Sequence, residues 1–394
     1  MPTVAASGAS ELPDTVQAAQ GAVHIAQGGL KGAQPSFGLL FASSKHSLDQ
    51  AMKAAQSAVG SAPLLGCTTA GEFTERGLTR GGLAVMLISA PEVVADPVTA
   101  EGLKKGAAGA ADALCAPYSG VRGKALSRGL PYGTTITLID GLCGSGEGLI
   151  QSMVEGTQAT QQVVGGAAGD DGAFKATWVG DGRRSLTDGA VALHAFSKSP
   201  WGIGVGHGLK AATAKMTVTR ASGNVVQEIN GRPAFETYRE HARTRGVKLE
   251  PKTAGEYMIG NEIGVLIGNE VHRARAPLSV GADGSLTMAA SVAQGASVCI
   301  LDGERGMMID AARAAACESR ENLEGAKPAA ALVFDCICRG MILKTDFQQE
   351  IDAIREALGG VPVAGFLTYG EIANYKNRLD GWHNTTAVVL TLPA

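Results

Sequence analysis

The chain has 394 residues, a formal net charge of -3 at pH 7 and no dense run of Lys or Arg, so its length allows two or three domains and its charge disfavours nucleic-acid binding. The longest apolar run, residues 83–88, is too short to span a membrane, and residues 1–10 lack the basic and apolar regions of a secretory leader. Seven scattered cysteines without a CxxC pair are typical of reduced thiols, so we expect a cytoplasmic protein without membrane insertion.

The apolar runs predict three successive units, each made of a strand, an amphipathic helix, a short strand and a return strand. A helix over 15–27 comes first, in a helical lead-in that covers residues 1–30. The first unit is predicted as a strand at 37–42, a helix at 48–59 capped by Ser47, and strands at 63–65 and 83–88. The second is predicted as a strand at 135–140, a helix at 146–160, and strands at 162–164 and 190–196. The third is predicted as a strand at 331–335, a helix from a Thr345 cap to about residue 358, and strands at 361–363 and 385–392.

Residues 201–323, between the second and third units, have a different pattern. They predict a hairpin at 216–229, a helix from residue 232 to about 245, a hairpin turn at 283–285 and a helix at 311–323. Taken together, the elements predict a mixed α/β (α+β) fold of two lobes, built from repeated strand–helix–strand–strand units with mixed sheets. We place the two lobes at residues 31–200 and 201–394, with the third unit packed beside the first two or completing one of their sheets.

Each predicted unit contains the same glycine turn: an apolar residue, a glycine, a short segment, a second glycine and an acid. The three copies occupy residues 65–72, 164–170 and 364–371. Glycine at both ends lets backbone amides point into open space without a Cβ in the way, so three such turns predict a scaffold that holds something small. The interval from Gly66 to Gly165 is 99 residues and that from Gly165 to Gly365 is 200, which hints at a degenerate fourth unit between them.

In this order and spacing, the turns resemble the FIST family, an N-terminal and a C-terminal sensory domain of bacterial signal transduction. The segments that carry the resemblance are 66–72 and 165–170 in the first lobe, and 333–336 with Arg339, 365–371 and 384–386 in the second. The resemblance covers residues 37–392 and implies binding of a small ligand, amino acids among those proposed, and signalling through a histidine kinase or a cyclic-dinucleotide enzyme. Some members look like haem proteins that sense nitric oxide. Because no kinase or cyclase segment is visible here, we expect the partner to be a separate chain.

The turns also supply the candidate binding residues. Hydroxyl groups and carboxylates at the turns have the chemistry to hold the ammonium group of an amino-acid-like ligand, while backbone amides or the fork of Arg339 hold its carboxylate. The candidates are Cys67, Thr68, Thr69, Glu72, Asp170, Cys336, Arg339, Thr368, Tyr369 and Glu371. Three alternatives stay open: each acid caps its own turn without any ligand, Arg339 forms a surface salt bridge, and the two cysteines are small buried apolar residues. We expect no metal.

Two other functions stay open, although we expect a sensor that is not an enzyme and holds no cofactor. A haem-binding nitric-oxide sensor would use His207 as the axial ligand, because the flanking glycines leave room for a macrocycle. A thiol- or hydroxyl-dependent hydrolase would use Cys143 or Ser145 in the glycine-rich loop 141–147, but neither has a glycine two residues away on both sides. The same loop lacks the GxGxxG and P-loop patterns, so we interpret it as helix capping.

Overall fold

The computed structural model describes residues 2–376 and 381–394. Within them the predicted mixed α+β fold is confirmed, since helices cover several mixed sheets. Three units of the same build follow one another, and a second body is inserted into the third. No helix among the described residues combines the length and the apolar character that a membrane crossing requires.

The first unit includes the predicted helical lead-in. Its helices begin at side-chain caps, because Asp14 accepts a bond from the Gln17 N–H and Ser47 accepts one from the Gln50 N–H. Its elements are β1 (Val4–Ser10), α1 (Thr15–Gly29), β2 (Phe37–Ser43), α2 (Leu48–Val59), β3 (Leu64–Thr69), β4 (Glu72–Thr74), β5 (Gly77–Thr79) and β6 (Leu83–Ser89).

The second unit repeats this order with one additional helix. Its elements are β7 (Val94–Glu101), a 3-10 turn (Leu103–Lys105), α3 (Ala107–Cys115), α4 (Tyr118–Ser127), β8 (Tyr132–Ile139), α5 (Gly146–Gly156), β9 (Gln162–Ala167), β10 (Val179–Gly180), β11 (Ser185–Leu186) and β12 (Gly189–Ser197). The sequence did not predict β1 or β7. Both are edge strands, one rich in Ala and Ser and the other containing Pro97, so neither presents the continuous apolar run of a central strand.

The third unit begins with β13 (Gly202–Gly206) and is then interrupted by the insertion, residues 210–302. The insertion forms its own nine-stranded sheet and its own core, which includes Phe235 and Tyr238. Its elements are β14 (Lys210–Ala211), β15 (Met216–Ser222), β16 (Val225–Ile229), β17 (Arg232–Pro233), α6 (Ala234–Thr244), a 3-10 turn (Pro251–Thr253), α7 (Gly255–Gly260), β18 (Ile263–Ile267), β19 (Glu270–Arg275), β20 (Pro277–Val280), β21 (Leu286–Met288) and β22 (Ser297–Asp302). This insertion, and not a degenerate fourth unit, explains the doubled interval between the glycine turns.

The remainder of the third unit follows the insertion. Its elements are α8 (Arg305–Glu321), β23 (Pro328–Cys336), α9 (Ile337–Leu343), a 3-10 turn (Lys344–Asp346), α10 (Phe347–Ala357), β24 (Val363–Thr368), β25 (Glu371–Asn374), β26 (Trp382–His383) and β27 (Ala387–Pro393). The predicted cap at Thr345 is wrong, because that residue lies in the 3-10 turn and α10 begins after Asp346. The helix predicted to end at residue 160 ends at Gly156.

Each unit contributes four strands with one topology: β1-β6-β2-β3, β7-β12-β8-β9 and β13-β27-β23-β24. The last two strands of each set are parallel and the other pairs are antiparallel. After each glycine turn the chain leaves its own sheet and adds a small hairpin to the sheet of another unit. Hairpin β4–β5 joins β24, β10–β11 joins β3, and β25–β26 joins β9. The third unit therefore completes a sheet of the second, and the three units form one cyclically exchanged body.

The inner faces of the three sheets share one apolar core. Phe41 of the first unit packs on Phe366 of the third with ring centroids 4.8 Å apart, and Leu138 of the second belongs to the same cluster. Burying each such side chain completely contributes about 1.5–3 kcal/mol. The helices pack on the outer faces, so the loops at the strand ends are the parts left to form sites.

Candidate functional site

The three glycine turns lie close together in the structure. Each turn bonds to a strand end or a turn of a neighbouring unit through its backbone. The bonds are Ala70 N to Leu367 O (3.0 Å), Gly169 N to Thr68 O (2.9 Å) and Ala167 N to Gly370 O (2.8 Å). These amides are therefore paired with carbonyl groups of the protein and do not point into an open hollow.

Glu72 is completely buried at the first turn. Its carboxylate accepts hydrogen bonds from the hydroxyls of Thr69 (2.7 Å) and Thr79 (2.6 Å) and from the Gly82 N–H (3.0 Å). Burial raises the pKa of Glu72 to about 7, although these hydrogen bonds act in the opposite direction. With these partners, Glu72 matches the alternative in which the acid caps its own turn without any ligand.

Glu371 has the same arrangement at the third turn. It accepts hydrogen bonds from the Thr368 hydroxyl (2.6 Å) and the Thr386 N–H (3.1 Å), and burial raises its pKa well above the usual value. The Thr68 hydroxyl also has a partner in the protein, the Trp178 N–H at 3.0 Å. Ligand binding by these residues stays a prediction, and it requires them to exchange their present partners.

Asp170 and Tyr369 join the second turn to the third. The Tyr369 hydroxyl donates to the Asp170 carboxylate, which also accepts backbone N–H bonds from residues 174, 175 and 176 at 2.8, 2.6 and 2.9 Å. Burial acts to raise the pKa of Asp170, but these bonds lower it overall. Burial and the bond to Asp170 raise the pKa of Tyr369.

Arg339 is fully buried and its guanidinium faces the protein. It pairs with Glu350 (2.5 Å) and Asp335 (3.1 Å), and it donates to the carbonyl groups of His207 and Met308, each at 2.9 Å. The side chain is thus neither a surface salt bridge nor a fork open to a ligand. The two acids need its charge because burying an unpaired carboxylate is costly.

Cys67 and Cys336 are both buried. Burial raises the pKa of Cys67, and a hydrogen bond with Cys338 together with burial raises that of Cys336. Neutral thiols are weak nucleophiles and weak metal ligands, so both cysteines match the alternative of small buried apolar residues. In residues 2–376 and 381–394, no group of three or more His, Cys, Asp or Glu side chains is placed to hold a metal ion.

His207 does not fit an axial haem ligand. Its Nδ1 accepts the Leu209 N–H at 2.9 Å, so in the neutral ring Nε2 carries the proton and has no lone pair for iron. The adjacent glycines serve a different purpose from the one expected. A Cβ on Gly208 would lie 2.5 Å from the Met307 carbonyl oxygen, because the backbone of α8 occupies the space that a macrocycle would need.

A cavity of about 780 Å³ lies between the second unit and the insertion. It opens at the carboxyl end of β8, the position at which α/β sheets usually bind ligands. Its walls include residues 140, 141, 143–148, 150 and 151 of the second unit, Asn224, Arg273 and residues 289–291 of the insertion, and Tyr369, Asn374 and Trp382 of the third unit. The sequence identified Tyr369 and the loop 141–147 as candidates. No sequence pattern indicated that the insertion would form one wall of this cavity.

Helix α5 begins at this cavity without a side-chain cap. The Ser145 hydroxyl donates to the Leu103 carbonyl at 2.9 Å, so the capping expected of this loop is absent. The uncapped first amides of a helix favour an anionic group. The Cys143 thiol also lines the cavity, but burial raises its pKa, and none of the lining residues is a histidine that would act as its base.

Glu147 connects the second unit to the insertion at the rim of the cavity. Its carboxylate lies 3.1 Å from Arg275 Nη2 and 3.6 Å from Arg273 Nη1, and it accepts the Ser291 hydroxyl. Two guanidinium groups therefore stand near one carboxylate. The start of α5 makes this end of the cavity attractive to a carboxylate.

Comparisons with known proteins agree with the resemblance. The Uncharacterized protein Rv0628c of Mycobacterium tuberculosis is 27% identical over 403 aligned positions, which cover 97% of this chain and 98% of that one. The Uncharacterized protein Mb0898c of Mycobacterium bovis is 29% identical over 187 positions, 43% of this chain and 45% of that one. A crystal structure of phosphoribosylformylglycinamidine synthase II from Thermotoga maritima aligns with a TM-score of 0.23 at 11% identity, covering 99% of this chain and 72% of that one, a score too low to indicate a shared fold.

Two family profiles match consecutive parts of the sequence. The FIST N domain matches residues 36–232 and the FIST C domain matches residues 234–374. FIST domains are generally linked to small-ligand sensing in signal transduction. Because these matches cover nearly the whole chain, the protein belongs to the FIST family, with an N domain followed by a C domain.

Proposed function

We propose that this protein is a cytoplasmic sensor that binds a small polar, amino-acid-like metabolite in the cavity at the start of α5. It passes the result to a separate partner, a histidine kinase or a cyclic-dinucleotide enzyme. One observation carries the proposal: residues 140–151 belong to the matched N domain, whereas Arg273, Ser291 and Tyr369 belong to the matched C domain. A cavity of about 780 Å³ between two domains is typical of a small-molecule site.

The lining supplies complementary groups for a zwitterion. The first amides of α5 and the Arg273 guanidinium attract a carboxylate, and an ammonium group would share the Glu147 carboxylate with Arg275 and Ser291. The rings of Tyr369 and Trp382 supply an apolar surface for the ligand's side chain. We prefer this cavity to the first and third turns as the ligand site, because the carboxylates of Glu72 and Glu371 are buried and hydrogen-bonded within the protein. Of the residues that the sequence suggested, Tyr369 also lines this cavity.

The proposed mechanism is a population shift between arrangements of the second unit and the insertion. A ligand that contacts both walls favours the arrangement in which Glu147 stays paired with Arg275 and Ser291. Tyr369 offers a route to the surface, because its ring lines the cavity while its hydroxyl bonds the Asp170 loop. Phe174 of that loop stacks on the Tyr369 ring at 4.4 Å and is itself 53% exposed, where a partner has access to it.

A thermal-shift screen of the twenty amino acids tests the proposal. A ligand at one hundred times its Kd stabilises the folded state by about 2.7 kcal/mol, which corresponds to roughly 3 °C in Tm for a chain of this size. Arg273→Met should abolish the shift. Arg313→Met is the matched control, since Arg313 is an exposed arginine paired with Glu356 and does not line the cavity. The proposal fails if no amino acid stabilises the native protein, or if Arg273→Met responds as the native protein does.

A further inference from the structure

A second cavity, about 470 Å³, lies in the first unit at the position that corresponds to the cavity of the second unit. Both open after the second strand of their unit and before the helix that follows it, β2 before α2 in one and β8 before α5 in the other. In both, residues at or after a neighbour's glycine turn form part of the wall: Tyr369 in the second unit, and Asp170, Ala173, Lys175, Ala176 and Trp178 in the first. The repeated fold therefore builds the same kind of opening twice.

The third unit differs at the corresponding place. Helix α9 begins directly after β23, and the buried Arg339 pairs there with Glu350 and Asp335. The first two units therefore share an arrangement that the third unit replaces with a buried ion-pair cluster.

Two exposed lysines, Lys45 and Lys175, line this cavity. Among the described residues, neither Lys45 nor Lys175 has an ion-pair or hydrogen-bond partner for its Nζ. The acids beside them are already engaged. Asp170 accepts backbone N–H groups and the Tyr369 hydroxyl, and Asp49 pairs with Lys53 at 2.7 Å.

Asp171, adjacent to Asp170, is also engaged. Its carboxylate accepts the hydroxyl of Ser43 at 2.8 Å, and it accepts both the N–H (2.8 Å) and the hydroxyl (2.5 Å) of Ser44. The ring of His46, which also lines the cavity, uses Nδ1 for the Thr15 hydroxyl and Nε2 for the Gly81 carbonyl, each at 3.1 Å. The lysines are thus the polar groups that remain available to a ligand.

Trp178 supplies an aromatic face in the same cavity. Its side chain is 41% exposed, yet its backbone is fixed, because its N–H donates to the Thr68 hydroxyl (3.0 Å) and its carbonyl accepts the Thr68 N–H (2.9 Å). An exposed indole on a fixed backbone offers a stacking surface to a planar ring. A ligand whose ring stacks on this indole keeps most of its own polar groups in contact with water.

We infer that this cavity binds a planar anion, with its ring on Trp178 and its carboxylate or phosphate between Lys45 and Lys175. A nucleoside phosphate and an aromatic carboxylate share this chemistry. The site lies apart from the amino-acid cavity and does not depend on the function proposed for it.

Intrinsic fluorescence tests the inference directly, because Trp201 and Trp382 are buried and Trp178 is the exposed tryptophan. We would titrate the full chain with adenosine monophosphate, with benzoate and with inorganic phosphate at constant ionic strength, and measure the heat of binding in parallel. A ring-bearing anion should quench the emission and saturate, and whichever of the two binds more tightly identifies the source. Phosphate alone should bind more weakly and leave the emission unchanged.

Variants separate the two contributions. Lys45→Met combined with Lys175→Met should weaken binding by about tenfold or more, since charge-assisted hydrogen bonds are lost. Trp178→Leu should weaken it by about fivefold or more when measured by heat. Lys248→Met, an exposed lysine near Glu250, is the matched control and should change nothing. The inference is overturned if neither ring-bearing anion saturates by about 10 mM, or if the double lysine variant binds as tightly as the native chain. An amino-acid response lost in Arg273→Met while anion binding persists shows that the two sites are separate.

Discussion

The Tyr369 hydroxyl donates a hydrogen bond to the carboxylate of Asp170, a residue 199 positions earlier in the chain. The same hydroxyl accepts the N–H groups of Asp170 (3.2 Å) and Gly172 (3.0 Å). One phenol thus joins the glycine turn of the third unit, where Tyr369 lines the inter-domain cavity, to that of the second, where Asp170 lines the cavity of the first unit.

Tyr369→Phe should lower the free energy of unfolding by about 1.5–3 kcal/mol, because it removes a hydrogen bond to a charged group and leaves two backbone donors without their acceptor. Urea unfolding followed by circular dichroism measures the change. Tyr132→Phe, an exposed tyrosine at the start of β8, is the control and should cost less than about 0.5 kcal/mol. Equal stabilities of the two variants would contradict the role of this bond.

The same variant has an expected effect on acid stability. Because hydrogen bonds lower the folded-state pKa of Asp170, the residue contributes stability above its unfolded pKa of about 3.9, and this contribution is lost as pH falls through the lower folded value. Tyr369→Phe removes one of these bonds, so its unfolding free energy should fall less steeply below about pH 4 than that of the native chain. Unfolding curves between about pH 2 and 5 provide the comparison.

Glu72→Gln should make the free energy of unfolding less dependent on pH between about pH 4.5 and 7. Burial raises the folded-state pKa of Glu72 to about 7, so the folded chain binds a proton between about pH 4.5 and 7 that the unfolded chain releases. Stability therefore falls as pH rises through this window, by an order of 3 kcal/mol for this group. The Gln variant should lose that share of the decrease between about pH 4.5 and 7, whereas Glu356→Gln on the surface should leave it unchanged.

Arg339→Met should cost about 3–5 kcal/mol, because it leaves Asp335 and Glu350 buried without their cation. Arg313→Met breaks an exposed pair and should cost less than about 1 kcal/mol. Urea midpoints of the two variants give the difference. Similar midpoints would mean that the buried pair contributes no more than the surface pair.

Gly204→Ala should destabilise the third unit by about 1–3 kcal/mol or more, since a Cβ on Gly204 of β13 would overlap the Ala315 carbonyl oxygen of α8. Gly109→Ala is the matched control. It lies in helix α3 with open space around the added methyl group, so it should stabilise the chain by up to about 1 kcal/mol. Thermal unfolding of the two variants should shift in opposite directions, and a shift of Gly204→Ala to higher temperature would contradict the close packing of α8 on β13.

Much of the local structure was predictable from the sequence. The Ser47 cap, the helix that follows it and the hairpin at 216–229 were identified because each depends on residues that are neighbours in the chain. The failures have equally local causes. Edge strand β7 contains Pro97, and the start of α10 is displaced by the 3-10 turn that holds Thr345. Small residues and short turns leave too weak a pattern for prediction.

The candidate site was predictable only in part. The repetition of the glycine turns is visible in the sequence, but the partners of Glu72 and Glu371 are not, because a carboxylate beside a turn can bind either a ligand or the backbone. The structure decides this through burial. Arg339 is a similar case, since its partners Asp335 and Glu350 become visible only when β23, α9 and α10 are packed together.

The sequence by itself determined the repeated units, the glycine turns and the family, because periodicity and glycine positions are properties of contiguous residues. Only the tertiary structure decided which unit receives each exchanged hairpin and where the cavities lie. Those outcomes depend on pairs such as Glu147 and Arg275, 128 positions apart, which meet because a body inserted into the third unit folds over the carboxyl end of the second unit's sheet. No local pattern encodes a contact at that separation.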